Sequence, residues 1–236
     1  METGREQERN SQRERILDAA RFLFASRGFE AVAMSDVAER AGVARATVFN
    51  HFGSKHALVE AITASVFDYY ALMLDHALAD EVSPTPALVR ALFDYMGAGI
   101  EQFHSFYREV FREIVKIQVG LEEGSAAAHA AGRTQERLIR LLARGLQRGE
   151  LSQDFSAADL ESAFSSLANG TIDRWLYEDA SSSLRERMRK AAEIFLGPVA
   201  SAASLAASAP TLAFPTESIP NPSAIPLQRR RRRRMR

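Results

Sequence analysis

Apolar residues return along this chain at intervals of three and four, and no stretch alternates with the period of two expected of a half-buried strand. Ile16, Leu17, Ala20, Leu23 and Phe24 outline the first stripe. Ser11-Gln12-Arg13-Glu14 ahead of it fits the S-x-x-E capping box, and Gly28 marks its end. The pattern then predicts two short helices, from about Met34 to Ala41 and from about Arg45 to His51, stopped by Gly42 and Gly53. Ser54 is placed to cap a long helix from Lys55 to about Asp80, carrying Leu58, Ile62, Phe67, Leu72 and Met73. At 1.5 Å per residue it would be roughly 39 Å long.

Ser83-Pro84-Thr85-Pro86 reads as a loop leading into the next helix, because proline is tolerated in a first turn. Residues 87–119 are apolar and aromatic, and 122–125 read as a loop. A helix over 126–148 carries a basic stripe of Arg133, Arg137, Arg140, Arg144 and Arg148. Glu136 stands beside it and no aromatics interleave, so the stripe reads as a solvated face rather than a nucleic-acid patch. Helices over 156–178 and 182–196 complete the pattern, the last stopped by Gly197-Pro198. The expected fold is all-α, and the length allows one large domain or a small domain joined to a larger one.

Composition narrows the options. The chain has 236 residues, 46% hydrophobic and 25% charged, as in ordinary globular proteins. It has no cysteine, which excludes disulfides, thiolate metal sites and a cysteine nucleophile. The first ten residues are highly charged and lack the apolar core of a signal peptide, and the Ala-rich stretch near 191–214 is too interrupted to span a membrane. A cytoplasmic protein with no membrane partner is therefore expected. The formal net charge is zero, but Arg229 to Arg234 and Arg236 supply seven of the 30 basic residues. Residues 1–228 alone carry a net charge of −7. Overall charge does not draw this body to an acidic polymer, so any such binding must come from local placement of groups.

The two short helices joined at Gly42 carry the clearest chemistry. Val37, Ala38, Val48 and Phe52 face inward, with Val43 in the turn. Arg45, Ala46, Thr47, Phe49, Asn50 and His51 are left on or near the outer side of the second helix, which has the width to enter a DNA major groove.

Residues 16–58 resemble the DNA-binding domain of the TetR family of bacterial regulators. The resemblance rests on G-F at 28–29, V-A-E-R-A-G-V at 37–43, T at 47, H-F at 51–52 and S-K at 54–55, all in register. It implies that Arg45 and Ala46 sit against bases, while Thr47, His51 and Lys55 contact phosphates. Arg13 and Arg15 would add phosphate contacts. Three positions depart from the family pattern. Phe49 stands where tyrosine is usual, and Ala33 and Ala44 stand where threonine or serine commonly caps a helix. The implied layout is a flexible arm at 1–10, the helix-turn-helix domain at 11–56, a ligand-binding and dimerisation domain at 57–208, and a disordered Pro- and Arg-rich tail at 209–236.

The resemblance further implies a homodimer on pseudo-palindromic double-stranded operator DNA, and a small-molecule effector in the C-terminal domain. Two apolar helices from each subunit, 156–178 and 182–196, would form a four-helix interface. Among candidate pocket residues, Phe103, His104, Tyr107, Phe111, Asn169 and Trp175 stand out, with Tyr70, Met73, Phe93 and Met96 beside them. A mostly hydrophobic effector is expected, and no cofactor or metal. Nucleotide-loop, metalloprotease and nucleophile-elbow motifs are all missing, so enzyme activity is not expected. The alternative is an adaptor with weak or lost specific DNA binding. For the arginine tail, non-specific phosphate contacts, binding to RNA or an acidic partner, and no role all stay open.

Overall fold

A computed structural model of the chain describes residues 4–102, 104, 107–108, 124–178 and 182–201. Eight helices are named among these residues: α1 (Gly4–Arg27), α2 (Met34–Ala41), α3 (Arg45–Phe52), α4 (Lys55–Ala79), α5 (Thr85–Gln102), α6 (Ala126–Gln147), α7 (Ala157–Tyr177) and α8 (Leu184–Leu196). The all-α reading holds. Among the described residues the only sheet-like pairing is one antiparallel bridge, Leu151 with Ala200, which pins the end of α8 to the α6–α7 loop. The tail beyond residue 201, and with it Arg229 to Arg236, lies outside the described residues.

The first helix corrects the expected boundary. It begins at Gly4, so Ser11 lies inside it rather than capping it, and residues 4–10 are helix rather than arm. These residues are rich in Arg, Glu and Gln, good helix formers, with no breaker between Gly4 and Gly28. The two short helices end as expected. Gly42 adopts φ 65°, ψ 39°, a left-handed conformation open to glycine at no steric cost, and its N–H donates to Ala38 and Glu39 carbonyls.

Two hydrophobic cores result. The first gathers Ile16, Leu17, Leu23, Phe24, Val37, Val48, Phe52, Leu58 and Ile62 from α1 to α4. The second gathers Met73, Leu88, Phe93, Leu141, Phe164, Trp175, Met188 and Phe195 from α4 to α8. Helix α4 therefore belongs to both. By length and apolarity alone it could cross a membrane. In this fold Leu58, Val59, Ile62, Met73, Leu74 and Ala77 enter the two cores instead, while Phe67 and Leu72 stay partly exposed.

The basic stripe on α6 is not merely solvated, and this overturns the sequence reading. Arg133 pairs with Asp68, and Arg137 donates to Asp75 at 2.7 Å. Arg144 donates to the carbonyls of Ala77, Leu78 and Asp80 at the end of α4, and Arg148 to Glu81. Cations thus satisfy the orphan carbonyls at a helix C-terminus, where the macrodipole favours them. The C-terminal half of α4 is clamped to α6. On the other side, Gly97 lets α5 approach α8 closely: a Cβ there would lie 2.8 Å from the Arg185 Cα. Arg185 and Arg189 both bind Asp94 across the same contact.

Candidate nucleic-acid interface

Helix α3 rests on its inner side chains, Val48 and Phe52, which are buried against α1, α2 and α4. The three- and four-residue spacing that buries them turns Arg45, Ala46, Phe49 and Asn50 outward, and all four are exposed. Thr47 and His51 are partly buried at the edge of that face. The Arg45 guanidinium carbon lies 5.4 Å from the centre of the Phe49 ring, one turn away. A cation–π contact of this kind restrains a long side chain without consuming its hydrogen-bond donors.

Capping follows the sequence. Ala44 and Ala33 sit in extended conformations suited to an N-cap, but neither has a side-chain acceptor. At α2 half of a capping box survives, because the Asp36 carboxylate accepts from the Ala33 N–H at 2.9 Å. Ser54 caps α4, accepting from the Ala57 N–H at 3.1 Å. Lys55 is held inward: its ammonium donates to the Phe29 carbonyl at 2.7 Å and stands 4.2 Å from the Phe29 ring centre. It ties the start of α4 to the loop after α1. Burial lowers the His51 imidazole below its ordinary pKa, and the charges of Arg9 and Arg13 add to this. Arg13 lies over the Phe52 ring, 5.2 Å from its centre. Arg15 turns the other way, toward Glu8 at 3.9 Å.

Between the two cores runs a polar seam. Arg21 is 2% exposed and donates to Asp18 and to the Ser65 hydroxyl of α4, each at 2.8 Å. Its Nε is buried with no partner among the described residues. Beyond Ser65, the Tyr70 hydroxyl is hydrogen-bonded to Tyr107, and burial pushes the Tyr107 phenol up to about 12. Tyr107 packs against both cores. Sequence reasoning missed Arg21, although its spacing of four from Leu17 places it on the apolar stripe.

The ligand candidates divide. His104 packs edge-on against Trp175, ring centres 4.9 Å apart, and the Trp175 indole N–H donates to the Ser182 carbonyl at 2.7 Å. Phe93 stacks against Phe164 and Phe195 in the core, and Met73 is buried. Asn169 is exposed on α7 with Ser162 and Ser166, and is not brought to the His104–Trp175 pair. Phe103 and Phe111 lie outside the described residues. The apolar stripes of α7 and α8, expected between subunits, are used inside the subunit: Leu160, Phe164, Ile172, Met188 and Phe195 all enter the second core.

Residues 16–62 match the family described as bacterial regulatory proteins, tetR family. Over these residues the chain is similar to that family. The TetR match covers α1 from its first buried residue, both short helices and the first turns of α4, the same set that builds the first core. The transcriptional regulator AlkX of Mycobacterium tuberculosis is 35% identical over 97 residues, 41% of either chain. The match therefore spans less than half of that relative. YfiR of Bacillus subtilis, an HTH-type transcriptional regulator, is 25% identical over 78% of this chain and 89% of its own. Among solved structures, the TetR-family repressor FadR of Thermus thermophilus, in complex with lauroyl-CoA, superimposes with a TM-score of 0.58 at 25% identity. That likeness covers 78% of this chain and 93% of FadR. These relatives are named as regulators of transcription, not as enzymes.

Proposed function

We propose that this protein is a ligand-responsive transcriptional repressor of the cytoplasm. It binds a pseudo-palindromic operator as a homodimer and is released when a small, mostly hydrophobic molecule occupies the C-terminal domain. One observation carries the reading: α3 presents Arg45, Ala46, Phe49 and Asn50 outward as a set, within a segment that matches the TetR family in register. Arg45 suits guanine O6 and N7, and Ala46 a thymine methyl. The Thr47 and His51 side chains flank that face, where phosphates run.

Lys55 joins the phosphate contacts only if it leaves the Phe29 carbonyl, so the first-turn N–H groups of α4 are the better anion donors there. Dimer contact falls to the outer faces of α7 and α8, since their apolar stripes are spent internally. Tyr177 and Ile194, exposed by 63% and 66%, are the large apolar groups left for it. Repression and an acyl-type effector are suggested by FadR, named as a repressor bound to lauroyl-CoA.

The switch follows from α4. Its far half is clamped by the α6 arginines, and its near half supports α3, while Arg21, Ser65, Tyr70 and Tyr107 form the seam between. A ligand that favours one arrangement of the seam changes the spacing of the two reading helices, by no more than its affinity difference between the two states. The test is DNA binding by Arg45→Ala and Thr47→Ala beside the wild type. Selective binding lost in the variants supports the repressor. Weak, fully salt-sensitive binding without selectivity supports the adaptor.

A further inference from the structure

Helix α1 runs on for twelve residues before its first buried side chain, Ile16, which is about 18 Å of helix at 1.5 Å per residue, exposed except at the partly buried Gln12 and Arg13. Along it, Arg5, Arg9 and Arg13 stand at intervals of four and so form one face. Arg5 and Arg9 are exposed. A neighbouring face is occupied by contacts within the helix, Gln12 donating to Glu8 and Arg15 pairing with Glu8. Glu6 and Glu14 stand beside the arginine row, Glu14 acting on Arg13, and the row outnumbers them three to two.

The row is tied to the reading helix at its inner end. Arg13 lies over the ring of Phe52, the last residue of α3, and both Arg9 and Arg13 act electrostatically on His51 one position before it. A cationic face that starts at the edge of a groove-reading helix and continues for three turns has one obvious complement in charge. That complement is the phosphate backbone flanking the bases that α3 reads.

We propose that Arg5, Arg9 and Arg13 form a second DNA contact, a helical rail that grips backbone phosphates beside the site read by α3. The proposal rests on the DNA-binding reading above. It assigns the rail to affinity and register rather than to sequence choice. The family resemblance already implied phosphate contacts for Arg13 and Arg15; the rail adds Arg5 and Arg9 to Arg13, and leaves out Arg15, which turns to Glu8.

The experiment measures the salt dependence of DNA binding by the full-length protein and by Arg5→Gln/Arg9→Gln. Both are titrated against the duplex selected by the wild type and against an unrelated duplex. Arg140→Gln/Arg174→Gln, with the same change of charge at exposed positions on α6 and α7, is the control. Each phosphate contact contributes about 0.9 to the slope of log K against log salt, so losing two lowers its magnitude by about 1.8. The order of preferred sequences stays the same. An unchanged slope overturns the rail, as does an equal loss in the control. If the wild type binds DNA but selects no sequence, the regulator reading fails, while the slope on unrelated duplex still decides the rail. If it binds no DNA at all, both fail.

Discussion

Phe49 sets the weakest point of the proposed phosphate grip. It is 40% exposed on the outer face of α3 and holds Arg45 one turn away through its ring. Phe49→Tyr keeps that ring and adds a hydroxyl at its edge. Operator affinity should rise by about 0.5–1.5 kcal/mol, the usual net value of one added hydrogen bond. Fluorescence anisotropy at fixed salt checks this, and an unchanged Kd would mean that the ring edge does not face a phosphate. His51 supplies a pH dependence. Burial and the nearby Arg9 and Arg13 charges favour its neutral form in the free protein, whereas a bound phosphate favours the imidazolium. Its pKa is therefore higher in the complex than in the free protein, and affinity rises as pH falls between the two values. Proton NMR titration of His51 with and without DNA measures both. The outward residues of α3 were legible in the sequence because Val48 and Phe52 fix the helix orientation. Lys55 was not, because its partner carbonyl lies 26 residues earlier, in a loop whose path no periodicity reveals. Asn169 misled because it follows the buried Ala168 but falls on the polar Ser162–Ser166 face.

Among the helices, α2 and α3 lack the side-chain cap that most helices of this kind use, and α2 is the one that can be repaired cleanly. Ala33 already has N-cap backbone angles, φ −96° and ψ 158°, and Asp36 already closes the reciprocal half of the box. Ala33→Ser should raise unfolding free energy by about 0.5–2 kcal/mol, read as a higher midpoint in urea. Gly97→Ala should do the reverse. The added methyl would meet the Arg185 backbone at 2.8 Å and the Met188 side chain at 3.0 Å, so α5 and α8 must separate. A loss of about 1–3 kcal/mol is expected, with a lower thermal midpoint. Nothing local in the sequence marks Gly97 for this contact. Its packing role depends on a helix nearly ninety residues later. The α6 arginines were misread for the same reason, since Asp68 and Asp75 lie more than sixty residues away. Helix periodicity predicted which elements form, and long-range pairing decided what their polar faces do.

In the whole molecule, two cores share one long helix across a polar seam, and this arrangement would link the proposed reading helix to the proposed effector domain. The long helix that the two cores share was legible because apolar residues recur at helical spacing along the whole of α4. Which face of α7 and α8 is left for a partner subunit was not, because an apolar stripe looks the same whether it is covered by its own chain or by another copy. The central claim is that α3 reads a specific DNA sequence. Selection of duplexes from a random pool by the full-length protein, followed by Kd measurement at physiological salt, tests it most directly. The account predicts enrichment of a two-fold related sequence whose half-sites are a helical turn or its multiple apart, with binding at least about 10³-fold tighter than to a scrambled duplex and lost in Arg45→Ala. Equal affinity for selected and scrambled duplexes, falling together with salt, would contradict it.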